Sequence, residues 1–173
     1  VKNDSNNYIY HRVPDEIAGD TLFPLNKLKD IYPKEYQQQV EKYNGREYLL
    51  ERKIPCLECL WNDVLHLTAI DPNMIFQTLR KIGFKYPTHY FYKIEFSDLN
   101  VSDCVEMIYF GEDREYRKVD PLKFPKVNEL PNATIEYYTN CWKEKVHPLL
   151  FYGIPHILYK GTINVIGKAI IEV

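Results

Sequence analysis

Three histidines stand where the strands of one sheet could bring them together. His11 ends the short run YIYH (8–11), His66 lies inside VLHLT (64–68), and His156 opens HILYK (156–160). An imidazole titrates near neutrality and can move a proton, bind a metal or donate to a phosphate, so convergence of the three would make a catalytic cleft. Arg12, beside the first of them, could grip a phosphate with its planar fork of donors. In a regular strand the period of two puts Thr68 on the face of His66 and sends Leu65, Leu67 and Ala69 to the other. Polar atoms then gather on one side. Each histidine alone has an ordinary alternative, a hydrogen-bonded structural role. WND (61–63) likewise either caps the turn ahead of its strand or faces a ligand, and His89 and His147 read as loop or boundary residues.

Other chemistries lack their signatures. The seven glycines form neither GxGxxG nor GxxxxGK[ST], and there is no GxSxG or HExxH. Cys56 and Cys59 have the two-residue gap of a zinc knuckle, but Cys104 and Cys141 stand apart and supply no second pair. Buried free thiols are expected instead, and no metal. A metal hydrolase built on the same histidines would need carboxylate neighbours that the spacing does not supply.

Periodicity predicts the elements that must position these groups. A first strand covers 8–11. Apolar residues at Leu25, Leu28, Tyr32, Tyr36, Val40 and Tyr43 predict a helical face divided at Pro33 and stopped by Gly45, followed by a short helix over 46–53. A strand over 63–70 runs into Asp71-Pro72, a side-chain acceptor followed by a residue without an N–H, which is a favourable helix start. That helix shows Ile75, Leu79 and Ile82 on one face and closes at Gly83. Strands over 90–96 and 105–110 could pair with each other. Residues 111–133 read as a long irregular connection holding at most one strand. A helix over 132–145 shows Ile135, Tyr138 and Trp142 on one face, and 156–173 closes the chain in strands broken at Gly161 and Gly167. The expected class is α+β, with small twisted, mostly antiparallel sheets and about four helices.

Composition sets the outer limits. The 173 residues suit a single domain over 1–173, and 45% hydrophobic with 27% charged residues is ordinary globular composition. A net charge of −2 gives no general attraction to nucleic acid or anionic lipid. Lys160, Asn164 and Lys168 interrupt the longest apolar run, so no membrane span is expected. The opening VKNDSNNYIY lacks a basic start followed by an apolar stretch, and an intracellular, cytoplasmic, soluble protein is expected. The excess of tyrosine, fifteen residues, could line a pocket or a partner surface.

Taken in order, the segments resemble one known arrangement. IYH (9–11) resembles the "LYHGT" first strand of RNA 2'-phosphotransferases and the "YH" strand of DNA-targeting ADP-ribosyltransferase toxins. VLHLT resembles the phosphotransferases' "VHLS/T" strand, FYKIEFSDL (91–99) and VEMIYF (105–110) are similar to the segments that follow it, and IPHILYKGTINVIGKAIIEV (154–173) is similar to the toxins' closing strands. The resemblance implies a cleft between two small twisted sheets that binds NAD, as substrate, or an ADP-ribosylated phosphate. His11 would hold a ribose hydroxyl, His66 and Thr68 would line the adjoining strand, and Arg12 stands where the family has glycine. The toxins place a catalytic glutamate where this chain has His156, and an imidazole cannot stabilise a ribose oxocarbenium ion as a carboxylate does. The phosphotransferases work without that glutamate and use several arginines, of which the motif locates only Arg12.

The first expectation is thus an ADP-ribosyltransferase-like domain, acting as an NAD-dependent transferase or a phosphotransferase or catalytically degenerate. Its catalytic residues would be His11, His66 and His156, with Arg12 and Thr68 binding a nucleotide-type ligand. The alternative is a non-catalytic module that meets a protein partner through the tyrosine-rich helices and residues 111–133. Histidines that converge in a concave pocket would favour the first.

Overall fold

A computed structural model describes residues 7–15, 17, 19–121 and 129–173. The elements in chain order are β1 (Tyr8–Arg12), β2 (Thr21–Leu22), α1 (Leu25–Ile31), α2 (Pro33–Val40), β3 (Lys53–Ile54), β4 (Cys59–Leu60), β5 (Leu65–Thr68), α3 (Pro72–Ile82), β6 (Tyr90–Glu95), β7 (Cys104–Phe110), β8 (Asp113–Lys118), α4 (Asn132–Glu144), β9 (His156–Tyr159), β10 (Ile163–Asn164) and β11 (Ala169–Glu172). The class is α+β, and the sheets are antiparallel. The largest has seven strands in the order β11-β6-β1-β5-β9-β7-β8, while β10 pairs β2 and β3 pairs β4.

Register explains why distant residues share a surface. Tyr10 lies opposite Thr68, Thr68 opposite His156, and His156 opposite Met107, and residues directly opposite in a ladder point to one side. β1 and β5 are matched at that single position. The next partners along the two strands, Arg12 and His66, are unpaired, and the sheet opens between them.

The two faces of the sheet are covered differently. Ile9, Leu65, Leu67, Ile94 and Ile157 form one face and are buried with Leu22 of β2 and Ile163 of β10. On the opposite face α3 and α4 pack Ile75, Phe76, Leu79 and Tyr138 against Tyr10 and Phe91. Further along that face the β3–β4 hairpin packs Ile54, Leu57 and Cys59 against Val105, Met107 and Leu158. The stretch between these two covers carries His66, Thr68 and His156.

Local chemistry sets the ends of the helix beneath this face. The Asp71 side chain accepts from the Asn73 N–H at 2.9 Å, with Pro72 in the first turn. Gly83 closes α3 at φ +126°, and a Cβ there would lie 2.7 Å from the Trp142 ring. α4 in turn fixes the loop that follows it. Thr134 Oγ1 donates to the Tyr152 carbonyl at 3.0 Å, the Tyr138 hydroxyl donates to the Leu150 carbonyl, and the Tyr137 hydroxyl accepts from the Leu149 N–H at 3.0 Å. Tyr138→Phe leaves the Leu150 carbonyl without its partner and is expected to cost about 1–2 kcal/mol in urea denaturation. An unchanged midpoint would show that water replaces the hydroxyl at no cost.

Several expectations are corrected. The strands over 90–96 and 105–110 do not pair: β6 lies between β1 and β11, and β7 between β9 and β8. Instead of a helix over 46–53 there is one 3-10 turn, Glu47–Leu49, followed by the β3–β4 hairpin. β5 is shorter than the expected 63–70, because Trp61–Asp63 forms a 3-10 turn in which the Asp63 carboxylate accepts from the Leu60 N–H at 2.8 Å. α4 buries Thr134, Tyr138 and Cys141, while Ile135 and Trp142 are exposed. The segment 111–133, expected as an irregular connection with at most one strand, does hold one, β8, paired along its whole length with β7, and its residues 122–128 lie outside the described residues. Cys59, Cys104 and Cys141 are buried free thiols as expected, whereas Cys56 is exposed. Of the fifteen tyrosines only Tyr48 and Tyr90 are exposed; Tyr10, Tyr92, Tyr138 and Tyr159 are buried, and the other nine are half-buried. Among the described residues no helix is long and apolar enough to cross a membrane.

Candidate functional site

A cleft of about 480 Å³ occupies the stretch between the two covers, and His11, Arg12, His66, Thr68 and His156 all line it. That volume lies within the ordinary range for small-molecule sites, roughly 300–1,000 Å³. Tyr10, Thr68 and His156 come from facing positions of β1, β5 and β9, with His66 two residues along β5. His11 enters from the gap between β1 and β5. The remaining walls come from segments outside the central strands: Lys42, Tyr43 and Arg46 after α2, Trp61 ahead of β5, Tyr109 and Arg114 at the β7–β8 turn, and Leu149 and Phe151 from the loop after α4.

Each histidine spends one ring nitrogen on a backbone carbonyl. His11 Nδ1 donates to the Arg12 carbonyl at 2.6 Å, His66 Nε2 to Trp61 at 3.0 Å, and His156 Nδ1 to Ile154 at 3.0 Å. A carbonyl can only accept, so these nitrogens carry the protons and the opposite nitrogen of each neutral ring keeps its lone pair. Burial pushes the pKa of all three down to about 4, opposed in each case by the carbonyl bond. His66 is lowered further by the charge of His11, and His156 by that of His66, so the three lie within electrostatic reach of one another. The groups are neutral bases at physiological pH. Tyr109 and Tyr10 are pushed up to about 12, chiefly by burial, and stay protonated.

The charge of the lining is one-sided. Arg12, Lys42, Arg46 and Arg114 line the cleft with no carboxylate among the lining residues, in a chain of net charge −2. Among the described residues none of the four is in an ion pair. Arg114 stands 5.8 Å from the Trp61 ring centre and 5.9 Å from that of Tyr109, and Arg52 packs on Tyr48 and on the other side of the series at 5.8 Å from Trp61. Trp61 also packs against His66, with ring centres 4.4 Å apart and planes tilted by 47°. The Nε of Arg114 is buried without a hydrogen-bond partner, and its Nη1 donates to the Glu112 carbonyl at 3.0 Å. Unpaired guanidinium donors beside aromatic faces suit an anion joined to a planar ring. No group of three or more His, Cys, Asp or Glu side chains among the described residues is placed to hold a metal ion.

All five residues singled out from the sequence line the cleft: alternation and a shared register put Arg12, His66, Thr68 and His156 on one face, and His11, of the opposite parity, reaches it at the gap between β1 and β5. His89 and His147 stay out of the cleft; His89 extends the sheet through two backbone bonds to Val173 and packs on Phe76. Of the WND turn, Trp61 faces the cleft, Asp63 caps the turn, and Asn62 is buried. Sequence reasoning missed Lys42 and Arg46, in and after the 3-10 turn that follows α2, and Arg114, on the edge strand β8. Compared with known proteins, the chain matches no family model, no curated protein and no solved structure.

Proposed function

We propose that the chain is an ADP-ribosyltransferase-like domain whose cleft binds a nucleotide-type anion, NAD or an ADP-ribosyl or phosphate group. The observation that carries this reading is the single cleft in which His11, Arg12, His66, Thr68 and His156 meet three further cations and no carboxylate. Arginine forks match phosphate geometry, and the aromatic walls suit a sugar or base. With an imidazole at position 156 and no carboxylate beside it, chemistry through a glutamate-stabilised oxocarbenium ion has no support. A phosphotransferase-like role fits better: the guanidinium groups would offset charge on a transferring phosphoryl group. The bare Nε2 of His156 would accept a proton from an attacking hydroxyl. The alternative reading, a non-catalytic interaction module, draws on half-buried tyrosines rather than on exposed ones, of which there are two, Tyr48 and Tyr90.

Calorimetric titration with ADP-ribose, NAD and pyrophosphate tests the reading. At least one is expected to bind, more weakly as salt rises from about 0.05 to about 0.5 M, because Arg12, Lys42 and Arg46 are exposed enough to be screened. His11→Ala should weaken binding by roughly 10-fold, the value of one hydrogen bond to a polar ligand group. Absence of heat and of any thermal shift with all three compounds would remove the reading.

A further inference from the structure

The cleft continues through the gap between β1 and β5 into a second, smaller lobe of about 220 Å³, and His11, Lys42, Tyr43 and His66 line both. The second lobe has a different character. Leu22, Leu28, Val64 and Leu65 give it apolar walls, and its acidic group is Glu35. Asn62 also lines it and is only 2% exposed. The Asn62 Oδ1 accepts from the Tyr43 hydroxyl at 2.9 Å, while its Nδ2 is buried with no hydrogen-bond partner. A buried amide donor left open is costly unless a ligand or water supplies the acceptor. The turn that carries it is itself held: the Asp63 carboxylate accepts from Leu60 N–H at 2.8 Å and from Asn26 Nδ2 of α1 at 2.7 Å. The donor is therefore presented from a fixed position.

The two lobes differ in charge, cationic in the larger and balanced between Glu35 and Lys42 in the smaller, so a ligand with one anionic and one neutral end has a preferred orientation. Phosphates would lie among Arg12, Arg46 and Arg114, and the uncharged end would enter the Asn62 lobe. We propose that this lobe is a base-recognising subsite for a nucleoside diphosphate moiety, in which Asn62 Nδ2 donates to a carbonyl or ring-nitrogen acceptor of a planar heterocycle. His11, at the passage between the lobes, then faces the ribose. This inference rests on the reading of the larger lobe as a phosphate site.

Titrations of wild type and Asn62→Leu with pyrophosphate, ADP, GDP and UDP test it. In wild type at least one nucleotide is expected to bind roughly 10-fold or more tightly than pyrophosphate, and Asn62→Leu should remove that increment while leaving pyrophosphate affinity unchanged. A second readout does not depend on how the variant folds: the side-chain amide resonances of Asn62 in wild type should move with the nucleotide and not with pyrophosphate. Pyrophosphate binding without a gain from any base, or an unmoved Asn62 amide, would overturn the subsite and leave the phosphate site standing. Failure of pyrophosphate and nucleotides alike would overturn both.

Discussion

Replacing Arg114 by methionine is expected to weaken ADP-ribose binding by roughly 10- to 150-fold, the range for a lost charge-assisted hydrogen bond of about 1.5–3 kcal/mol. The reason lies in what the guanidinium lacks in the free protein. Its Nε is buried without a partner, its Nη1 donates to the Glu112 carbonyl, and among the described residues no carboxylate forms an ion pair with it. A desolvated cation in that position gains little until an anion arrives. Methionine keeps the stem that packs beside Trp61 and Tyr109 and forfeits two cation–π contacts, each worth about 0.5–1 kcal/mol at such sites. It also removes the desolvation cost, so the ligand-free variant should unfold within about 1 kcal/mol of wild type. Arg114→Lys separates charge from geometry: it keeps the charge and loses the planar fork, and should fall between the two. Calorimetry beside thermal denaturation reads both quantities. A methionine variant that binds as wild type does would show that the phosphate lies elsewhere.

The part of this site that the sequence reveals is the part built on strands. Alternation is enough to put His66 beside Thr68 and to bury Leu65 and Leu67, and the same rule makes Arg12 share a face with Tyr10. Register is not legible in a single sequence. Nothing in HILY (156–159) says that His156 will stand opposite Thr68 rather than one place away, and the pairing follows from which face is apolar once both strands are in the sheet. The cations beyond Arg12 come from the other kind of segment. DREYRK (113–118) has charged residues on both faces and little apolar alternation, because β8 is an edge strand with one side turned to solvent. Its pairing with β7 is bought by ladder hydrogen bonds that leave no mark on composition.

The misread face of α4 has a related cause. Ile135 and Trp142 are spaced as well as Thr134, Tyr138 and Cys141 for one helical stripe, and hydrophobicity alone selects the wrong set. Thr134 is fully buried because its hydroxyl satisfies the Tyr152 carbonyl, while Trp142 lies against Gly83 and Phe84 near the end of α3 and stays half open to solvent. The hairpin of β3 and β4 was hidden for another reason. Its turn places Cys56 at φ +71° and Glu58 at φ +49°, where glycine or asparagine would have marked it.

Acid should unfold the protein within the window from pH 6.5 down to about 4. The folded-state pKa of His11, His66 and His156 is lowered to about 4 from 6.5, burial being the first cause in each. Above pH 6.5 the rings are neutral in both states and the full stability is present. As pH falls through that window the unfolded chain takes up protons that the folded chain refuses, so stability is lost until the folded rings titrate near pH 4. His156, at 8% exposure the least exposed of the three, accounts for about 3 kcal/mol of this loss. His11 and His66 are more open to solvent and contribute less each. The sum is comparable to a whole domain's stability of about 5–15 kcal/mol. Nothing charged nearby offsets it: His156 is faced by the rings of Tyr109 and Phe151 and by His66, and no carboxylate lines the cleft. His156→Asn retains a donor for the Ile154 carbonyl and removes the titration. Urea denaturation at pH 7.5 and pH 4.5 should show the wild-type difference reduced by about 3 kcal/mol in this variant. An equal pH dependence in the two proteins would mean that His156 titrates in the fold as it does in the unfolded chain, and that burial does not hold it neutral in the cleft.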